Sequence, residues 1–304
     1  MLVTGARAAQ DAGMSTGFYW DERCFWHGSA GGYAGTAPVG GFVQPLGAEG
    51  LPDGPEGKRR LKNLLEVSGL IRALEVSGPR AIDRGDLARV HDAAYLDRFA
   101  ELSRAGGGEL GLRAPFGPGG YEIACVSAGL AVAAVEDVLR GRVRTAYALS
   151  RPPGHHCTAD TPQGFCLLNN IAVAIARARA NGLAERVAVL DWDVHHGNGT
   201  EAIFYDDPDI LTVSLHQAFN YPMDSGRASD RGGPGAEGSN LNVPLPSGCG
   251  HVLWLEALDR LALPALQRHR PDLIVVACGF DAGLTDPLGR MLCTAETFRT
   301  MAER

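Results

Sequence analysis

Short, continuously apolar segments alternate with helical patterns from residue 145 onward in this 304-residue chain, and this alternation constrains the fold most strongly. The predicted strands are 145–149, 187–191, 210–215 and 272–277, and the predicted helices are 170–180 and 253–269. Strands that are apolar at every position are typical of a parallel sheet covered on both faces by helices. The sequence therefore predicts an α/β fold in a single domain, with a mainly parallel sheet flanked by helices.

The first half of the chain has a different composition. Residues 1–57 are rich in Gly, Pro and small side chains, which predicts an N-terminal arm of loops, with regular structure beginning at Lys58 and the α/β domain spanning 58–304. Helical spacing of apolar residues predicts amphipathic helices at 58–74 and 91–102. A third helix, predicted at 123–139, is apolar nearly all round and should be buried.

Composition narrows the classes of function. The hydrophobic fraction of 45% and charged fraction of 21% are those of a globular protein. The net charge of −7 argues against general affinity for phosphate backbones, so no direct nucleic-acid partner is expected. No apolar run approaches the ~18 residues that cross a bilayer, so we expect no membrane association and a cytoplasmic location. The seven cysteines contain no C-x-x-C pair and are interpreted as reduced thiols.

Polar residues follow four of the predicted strands, at the positions where parallel α/β folds bind ligands. Asp191, Asp193 and His195 would project to one side if the chain stays extended there. With Asp281 from another strand end, Asp193 and His195 complete a set of three donors that suits Zn²⁺ or Fe²⁺ with an open coordination position. Taken singly, Asp191 as a turn cap and His195 as an ordinary polar residue are the better interpretations, but the combination favours a metal site.

The pair His155-His156 offers two imidazoles for general acid–base chemistry, although an isolated His-His pair in a loop is more often without function. Phe165 and Tyr221 follow in later loops, and periodicity alone favours packing roles for both.

Six strings resemble the zinc-dependent histone deacetylase family, specifically its class II branch and the bacterial deacetylase-like amidohydrolases. They are RPPGHH, GFCLLNN, DWDVHHGNGT, DILTVSLH, NLNVPLPSG and GFDAGLTDPLGRM, and the resemblance runs from about residue 17 to the end of the chain. It implies an arginase/deacetylase-like fold and the hydrolysis of acetyl or other acyl groups from lysine side chains or related amides. It also implies Zn²⁺ as cofactor, an acyl-lysine peptide or small acylated amine as partner, and allows a homo-oligomer.

The resemblance assigns roles to individual residues. Asp193, His195 and Asp281 become the zinc ligands, and His156 becomes the general base and acid. His155 would be hydrogen-bonded to Asp191, and Asn198 would be the neutral partner that class II enzymes place near His156. A further site for a monovalent cation, usually K⁺, would use Asp191, Ser214 and the carbonyls of Asp193, His195 and Leu215. The walls of the acyl-lysine channel would be formed by Gly164, Phe165 and Tyr221.

Two features depart from the family's pattern. No Glu-Gly-Gly-Tyr segment, which supplies an oxyanion-stabilising tyrosine in the family, follows Asp281; the Gly-Gly-Tyr strings at 31–33 and 119–121 stand in the wrong order. The expectation is therefore a chain without the family's terminal strand and helices, and a truncated pseudoenzyme that binds zinc and acyl-lysine without efficient turnover stays open. An arginase-like ureohydrolase is less favoured, because it would need two Mn²⁺ ions and further bridging aspartates.

The second departure concerns Leu288, which stands where polyamine-selective relatives carry glutamate. An apolar side chain there cannot pair with a second ammonium, so acyl-lysine or neutral amides are expected over acetylated polyamines.

Overall fold

A computed structural model describes residues 1–5, 15–28, 36–39, 42–45 and 53–304. These residues form two compact units, one of Met1 and Val3–Leu183, the other of Leu2 and Ala184–Arg304. The string 31–33 and much of the Gly/Pro-rich part of 1–57 lie outside the described residues. Within the described part, no helix combines the length and apolarity needed to cross a bilayer.

The first unit contains four strands in the spatial order β1, β8, β2, β5 and two short antiparallel hairpins. Its strands are β1 (Leu2–Gly5), β2 (Thr16–Tyr19), β3 (Thr36–Val39), β4 (Phe42–Pro45), β5 (Leu74–Ser77), β6 (Gly108–Glu109), β7 (Pro115–Phe116) and β8 (Thr145–Ala148). Its helices are α1 (Pro55–Val67), α2 (Arg84–Leu87), α3 (Ala93–Arg104), α4 (Gly120–Leu139) and α5 (Asn170–Ala180), with short 3₁₀ helices at Glu22–Trp26 and Leu70–Ala73. Strand β2 pairs in parallel with both β5 and β8.

The expectation that regular structure begins at Lys58 is wrong. Strand β2 lies between β5 and β8, and Phe18, Tyr19, Cys24 and Phe25 are buried. A four-residue strand with neighbours on both sides is too short to show a periodic pattern, so composition alone gave the wrong interpretation. The segment 1–57 therefore contributes to the core.

The helix predicted at 123–139 is confirmed as α4, which packs on β2 and β8 and is buried on nearly all sides. The helix predicted at 58–74 is only partly correct. Helix α1 ends at Val67, and Gly69 adopts a left-handed φ of 77° that terminates it. The chain then forms the 3₁₀ helix Leu70–Ala73 and enters β5 at Leu74, the last residue of the predicted helix.

The second unit has four parallel strands in the order β11, β10, β9, β12. They are β9 (Val187–Asp191), β10 (Ile210–Gln217), β11 (Asn240–Leu245) and β12 (Leu273–Ala277), with helices α6 (Asn198–Phe204), α7 (His251–Ala257), α8 (Leu263–His269) and α9 (Ala295–Glu303). A π-helical turn, Leu258–Ala262, joins α7 to α8. The helix predicted at 253–269 is therefore a continuous helical segment whose central turn is π-helical. Every residue of β9 and β10 is buried, as the continuous apolar runs predicted.

Candidate active site

Three donor side chains converge at the carboxyl ends of β9 and β12. One ligand atom from each of Asp193, His195 and Asp281 lies within 4.8 Å of the other two. Within the described part of the chain, this is the one group of three or more His, Cys, Asp or Glu side chains close enough to hold a metal ion. The structure therefore brings together the three residues that the sequence singled out, although they belong to two separate loops.

The local geometry differs from the predicted one. Strand β9 ends at Asp191, and the next residues form a bend, so the expectation of an extended chain through His195 is wrong. The Asp191 Oδ1 atom accepts the backbone N–H of Asp193 at 3.0 Å, and the Asp193 Oδ1 atom accepts that of His195 at 2.9 Å. Short aspartate side chains turn the backbone in this way because they compete with strand hydrogen bonds. These two bonds fix the positions of the donors.

Asp281 is held by the same bend. Its Oδ1 atom accepts the backbone N–H of Val194 at 2.8 Å, which leaves Oδ2 directed at His195. Two glycines allow this close packing, and sequence reasoning missed both. A Cβ atom on Gly279 would lie 2.2 Å from Asp193 Oδ2, and one on Gly289 would lie 2.3 Å from the Asp281 carbonyl oxygen. For Gly279 the available signal was its position, two residues after the end of β12 and two residues before Asp281.

The electrostatics of the three residues favour a bound cation. Burial and the adjacent Asp193 carboxylate raise the pKa of Asp281 to about 7. Burial alone would lower the pKa of His195, but hydrogen bonds and charge from Asp193 and Asp281 outweigh it and raise that pKa to about 10. The two carboxylates thus create a negative environment that a bound cation would neutralise. Two carboxylate oxygens and one imidazole nitrogen are a donor set that Zn²⁺ accepts in catalytic sites, so these residues fit the ion.

In the first unit, His155 and His156 are both buried, with ring centroids 3.9 Å apart. Arg151, at the start of their loop, is fully buried and acts as an anchor that sequence reasoning left without a role. Its Nη1 donates to the carbonyl oxygens of Cys24 at 3.0 Å and His27 at 2.8 Å. The N-terminal segment therefore fixes the loop that carries the histidine pair.

The residues between Arg151 and the histidine pair are equally constrained. A Cβ atom on Gly154 would lie 2.6 Å from the backbone nitrogen of Asn170, so only glycine fits there. The Pro152 carbonyl accepts hydrogen bonds from Ser127 Oγ at 2.8 Å and Asn170 Nδ2 at 3.0 Å. The residues that lead into the histidine pair are therefore held in one arrangement, as the positioning of catalytic groups requires.

Of the three predicted channel residues, Phe165 and Tyr221 are half-buried and Gly164 is buried. Gly164 and Phe165 have left-handed φ angles of 54° and 65°, and their N–H groups donate to Leu112 O and Arg113 O at 3.0 and 2.8 Å. A left-handed backbone is unfavourable for an aromatic residue and is often found at functional sites. In the second unit, the Tyr221 ring stands edge-on to the His195 ring at 6.2 Å.

The remaining predicted residues lie in the second unit. Asp191 and Ser214 are register partners on β9 and β10, and both are buried, as is Leu215. Ser214 Oγ lies 2.9 Å from His216 Nδ1. Asn198 is the half-buried first residue of α6, and Leu288 lies in the loop that follows Asp281, 39% exposed.

Residues 52–304 match the family described as the histone deacetylase domain. The chain belongs to the histone deacetylase family. It is 57% identical over 287 residues to the histone deacetylase-like amidohydrolase of Pseudomonas aeruginosa, a match that covers 94% of this chain and 75% of the relative. It is 33% identical over 261 residues to a probable deacetylase of Archaeoglobus fulgidus, covering 84% of this chain and 72% of that protein.

A solved structure of this family supports the same conclusion at the level of the fold. The crystal structure of the HDA15 HD domain superposes with a TM-score of 0.85 at 32% identity, covering 95% of this chain and 78% of the other. The predicted α/β fold of the histone deacetylase family is therefore confirmed.

Proposed function

We propose that this member of the histone deacetylase family is a zinc-dependent amidohydrolase that removes acetyl or other acyl groups from lysine side chains or related amides. The observation that carries the proposal is the convergence of Asp193, His195 and Asp281 within 4.8 Å. The deacetylase names of its relatives support the same reaction class.

Asp193, His195 and Asp281 would hold the zinc ion. When bound, zinc supplies a Lewis acid that polarises an acyl carbonyl and lowers the pKa of water. The protein's part is to present two carboxylates and one imidazole from backbone positions that the Asp191 and Val194 hydrogen bonds fix beforehand. The described residues bring together one such set, which favours this reading over a two-metal, arginase-like ureohydrolase.

His156 is proposed to transfer the proton. It would accept a proton from the attacking water as the water oxygen bonds to the acyl carbon, then deliver a proton to the amine nitrogen as the amide C–N bond breaks. An imidazole suits both steps because its ordinary pKa lies close to neutral pH. The ring of His155, 3.9 Å away, would orient His156, with Asp191 as the partner of His155 and Asn198 as the neutral partner of His156. Asn198 is also our reason to propose the class II branch.

Gly164, Phe165 and Tyr221 are proposed to line the channel for the acyl-lysine side chain, whose four methylene groups require apolar walls. Leu288 would stand at its rim. A monovalent cation, proposed as K⁺, would bind Asp191, Ser214 and the carbonyls of Asp193, His195 and Leu215. The pairing of Asp191 with Ser214 across β9 and β10 supports this site, because it places a carboxylate and a hydroxyl on adjacent strands.

The test is acetate release from an acetyl-lysine peptide by the purified, zinc-loaded chain. We expect turnover that chelation removes and that added zinc restores. Asp281→Asn should abolish it, whereas Asp97→Asn should not, because Asp97 is exposed and makes only a surface pair with Arg84. Zinc binding without acetate release would instead support the pseudoenzyme alternative.

A further inference from the structure

A groove of about 580 Å³ lies in the second unit, between the loops that follow β10, β11 and β12. Its lining is mostly apolar or uncharged, with one cation: Gln217, Ala218, Phe219, Asn220, Pro246, Ser247, Pro287, Leu288 and Arg290. A groove of this size accommodates several side chains of a peptide, which makes it more than a surface irregularity.

The walls of the groove are hydrogen-bonded to one another. Asn220 Nδ2 donates to the Leu288 carbonyl at 3.2 Å, and the Arg290 N–H donates to Gln217 Oε1 at 2.8 Å. The Arg290 carbonyl accepts the N–H of Gly248 at 2.7 Å, which joins the third loop. The groove is therefore built into the fold, because all three loops are tied at Arg290 and its neighbours.

The same loops are bonded to the segment that carries the metal donors. The Gln217 N–H donates to the Val194 carbonyl at 2.8 Å, and the Val194 N–H donates to Asp281 Oδ1 at 2.8 Å. Tyr221, whose ring stands 6.2 Å from that of His195, directly follows Asn220 in the groove wall. A peptide with its acyl-lysine at the metal donors would thus pass over this wall.

Among the described residues, the one charged side chain that lines the groove is positive. Arg290 is exposed and forms no ion pair with any residue that the structure describes, and none of the groove-lining residues is a carboxylate. The adjacent Asp286 uses Oδ1 to accept the N–H of Leu288 at 2.8 Å. A guanidinium with open donors is a strong partner for a carboxylate, which it can bind through two parallel hydrogen bonds.

Phe219 adds an apolar contact. Its side chain is 97% exposed, and its φ of 58° places an aromatic residue in the left-handed region. This backbone state is unfavourable for an L-residue, and here it directs the ring into solvent and not into the core. Strained, exposed aromatic residues of this kind are typical of binding surfaces.

We propose that this groove binds the residues flanking the acyl-lysine of a peptide substrate and that Arg290 selects a carboxylate side chain among them, while Phe219 and Leu288 cover its methylene groups. The proposal names the substrate class of the site and rests on the proposed deacylase function. It predicts a local preference for acidic flanking residues, although the whole chain carries a net charge of −7.

The test compares matched heptapeptides with a central acetyl-lysine and either Glu or Gln at each of the flanking positions in turn. At an ionic strength of about 0.15 M, we expect kcat/KM to be roughly fivefold to tenfold higher for Glu at one or more positions, as for a charge-assisted hydrogen bond. Arg290→Gln should bring this Glu-to-Gln ratio close to one, Arg290→Lys should retain part of it, and Phe219→Ala should weaken binding of both peptides. Arg268→Gln, an exposed charge change on α8 outside the groove, should keep the full ratio.

A ratio near or below one at every position in the unmutated chain would overturn the proposal, as would an unchanged ratio in Arg290→Gln. If no peptide is hydrolysed, the deacylase function fails, and calorimetric Kd values for the same peptide pairs still decide whether Arg290 selects a carboxylate.

Discussion

The Nδ1 atom of His195 lies 2.9 Å from the Oδ2 atom of Asp281. The same nitrogen lies 3.0 Å from Oδ1 of Asp193, so two carboxylates from different loops share one imidazole nitrogen. This arrangement concentrates negative charge around one position. It explains why the pKa values of His195 and Asp281 are shifted by the charges of the neighbouring donors.

Removing any of the three donors should remove the metal. We expect about one zinc ion per chain in the unmutated protein and substoichiometric zinc in Asp193→Ala, His195→Ala and Asp281→Ala, because two donors rarely retain a catalytic ion. Metal content after gel filtration measures this outcome. Full zinc retention by both single variants, Asp193→Ala and His195→Ala, would refute the site.

Gly279→Ala should weaken zinc binding although it replaces none of the three proposed ligands. The added Cβ atom would lie 2.2 Å from Asp193 Oδ2, so the carboxylate must move. We expect the zinc Kd to rise at least tenfold, or about 1.4 kcal/mol. Gly57→Ala is the control, since nothing lies within 4 Å of its Cβ position in helix α1. Equal zinc affinity in the two variants would show that the Asp193 position tolerates displacement.

His156→Ala should reduce acetyl-lysine turnover by a factor of roughly 10²–10⁴, the usual contribution of a general acid–base residue. Its zinc content should stay at that of the unmutated chain, because His156 is assigned to proton transfer and not to coordination. His251→Ala serves as the comparison, because among the described residues its ring is hydrogen-bonded to Thr297, on helix α9. The assignment is wrong if His156→Ala hydrolyses the peptide at the unmutated rate.

Leu288→Glu should shift substrate preference toward acetylated polyamines. The unmutated chain is expected to prefer an acetyl-lysine peptide over acetylspermidine, because an apolar side chain offers no partner for a second ammonium. The ratio of the two kcat/KM values gives the answer, with Leu288→Gln as a control of matched size without charge. A higher kcat/KM for acetylspermidine in the unmutated chain would contradict the argument.

Stability should fall on acidification because of His91. Burial lowers the pKa of this histidine to about 4, and its ring nitrogens bond to the Asn169 N–H at 3.0 Å and the Ala159 carbonyl at 3.2 Å. Above the ordinary value near 6.5, both the folded and unfolded states hold it neutral. Below that pH only the unfolded state binds a proton, so the free energy of unfolding decreases by ~3 kcal/mol as pH falls to about 4.

Urea unfolding of the unmutated chain and His91→Gln at several pH values tests this. The variant should start less stable near neutral pH, since it alters buried hydrogen bonds, but should lose less stability on acidification. Parallel curves for the two proteins would assign the pH dependence to other groups.

The sequence predicted β9, β10 and α4 because these elements are buried on nearly all sides. Such burial requires apolar residues at almost every position, and this composition is visible in the sequence. The short strand β2 was not predictable, since four residues next to Gly-rich segments show no period. The candidate donors were predictable only in combination, because a single Asp or His after a strand also fits a turn, as the Asp191 side chain shows.

The amino-acid sequence by itself indicated the α/β class and the family, and it singled out the three candidate metal donors. Tertiary structure alone decided how they meet: the strand stops at Asp191, aspartate side chains bend the backbone, and Gly279 lets Asp193 approach. It also decided that Phe219, Leu288 and Arg290 share one groove. The physical reason is that residue type and local pattern report burial and charge, whereas distances between loops depend on backbone hydrogen bonds and close contacts between residues far apart in the chain.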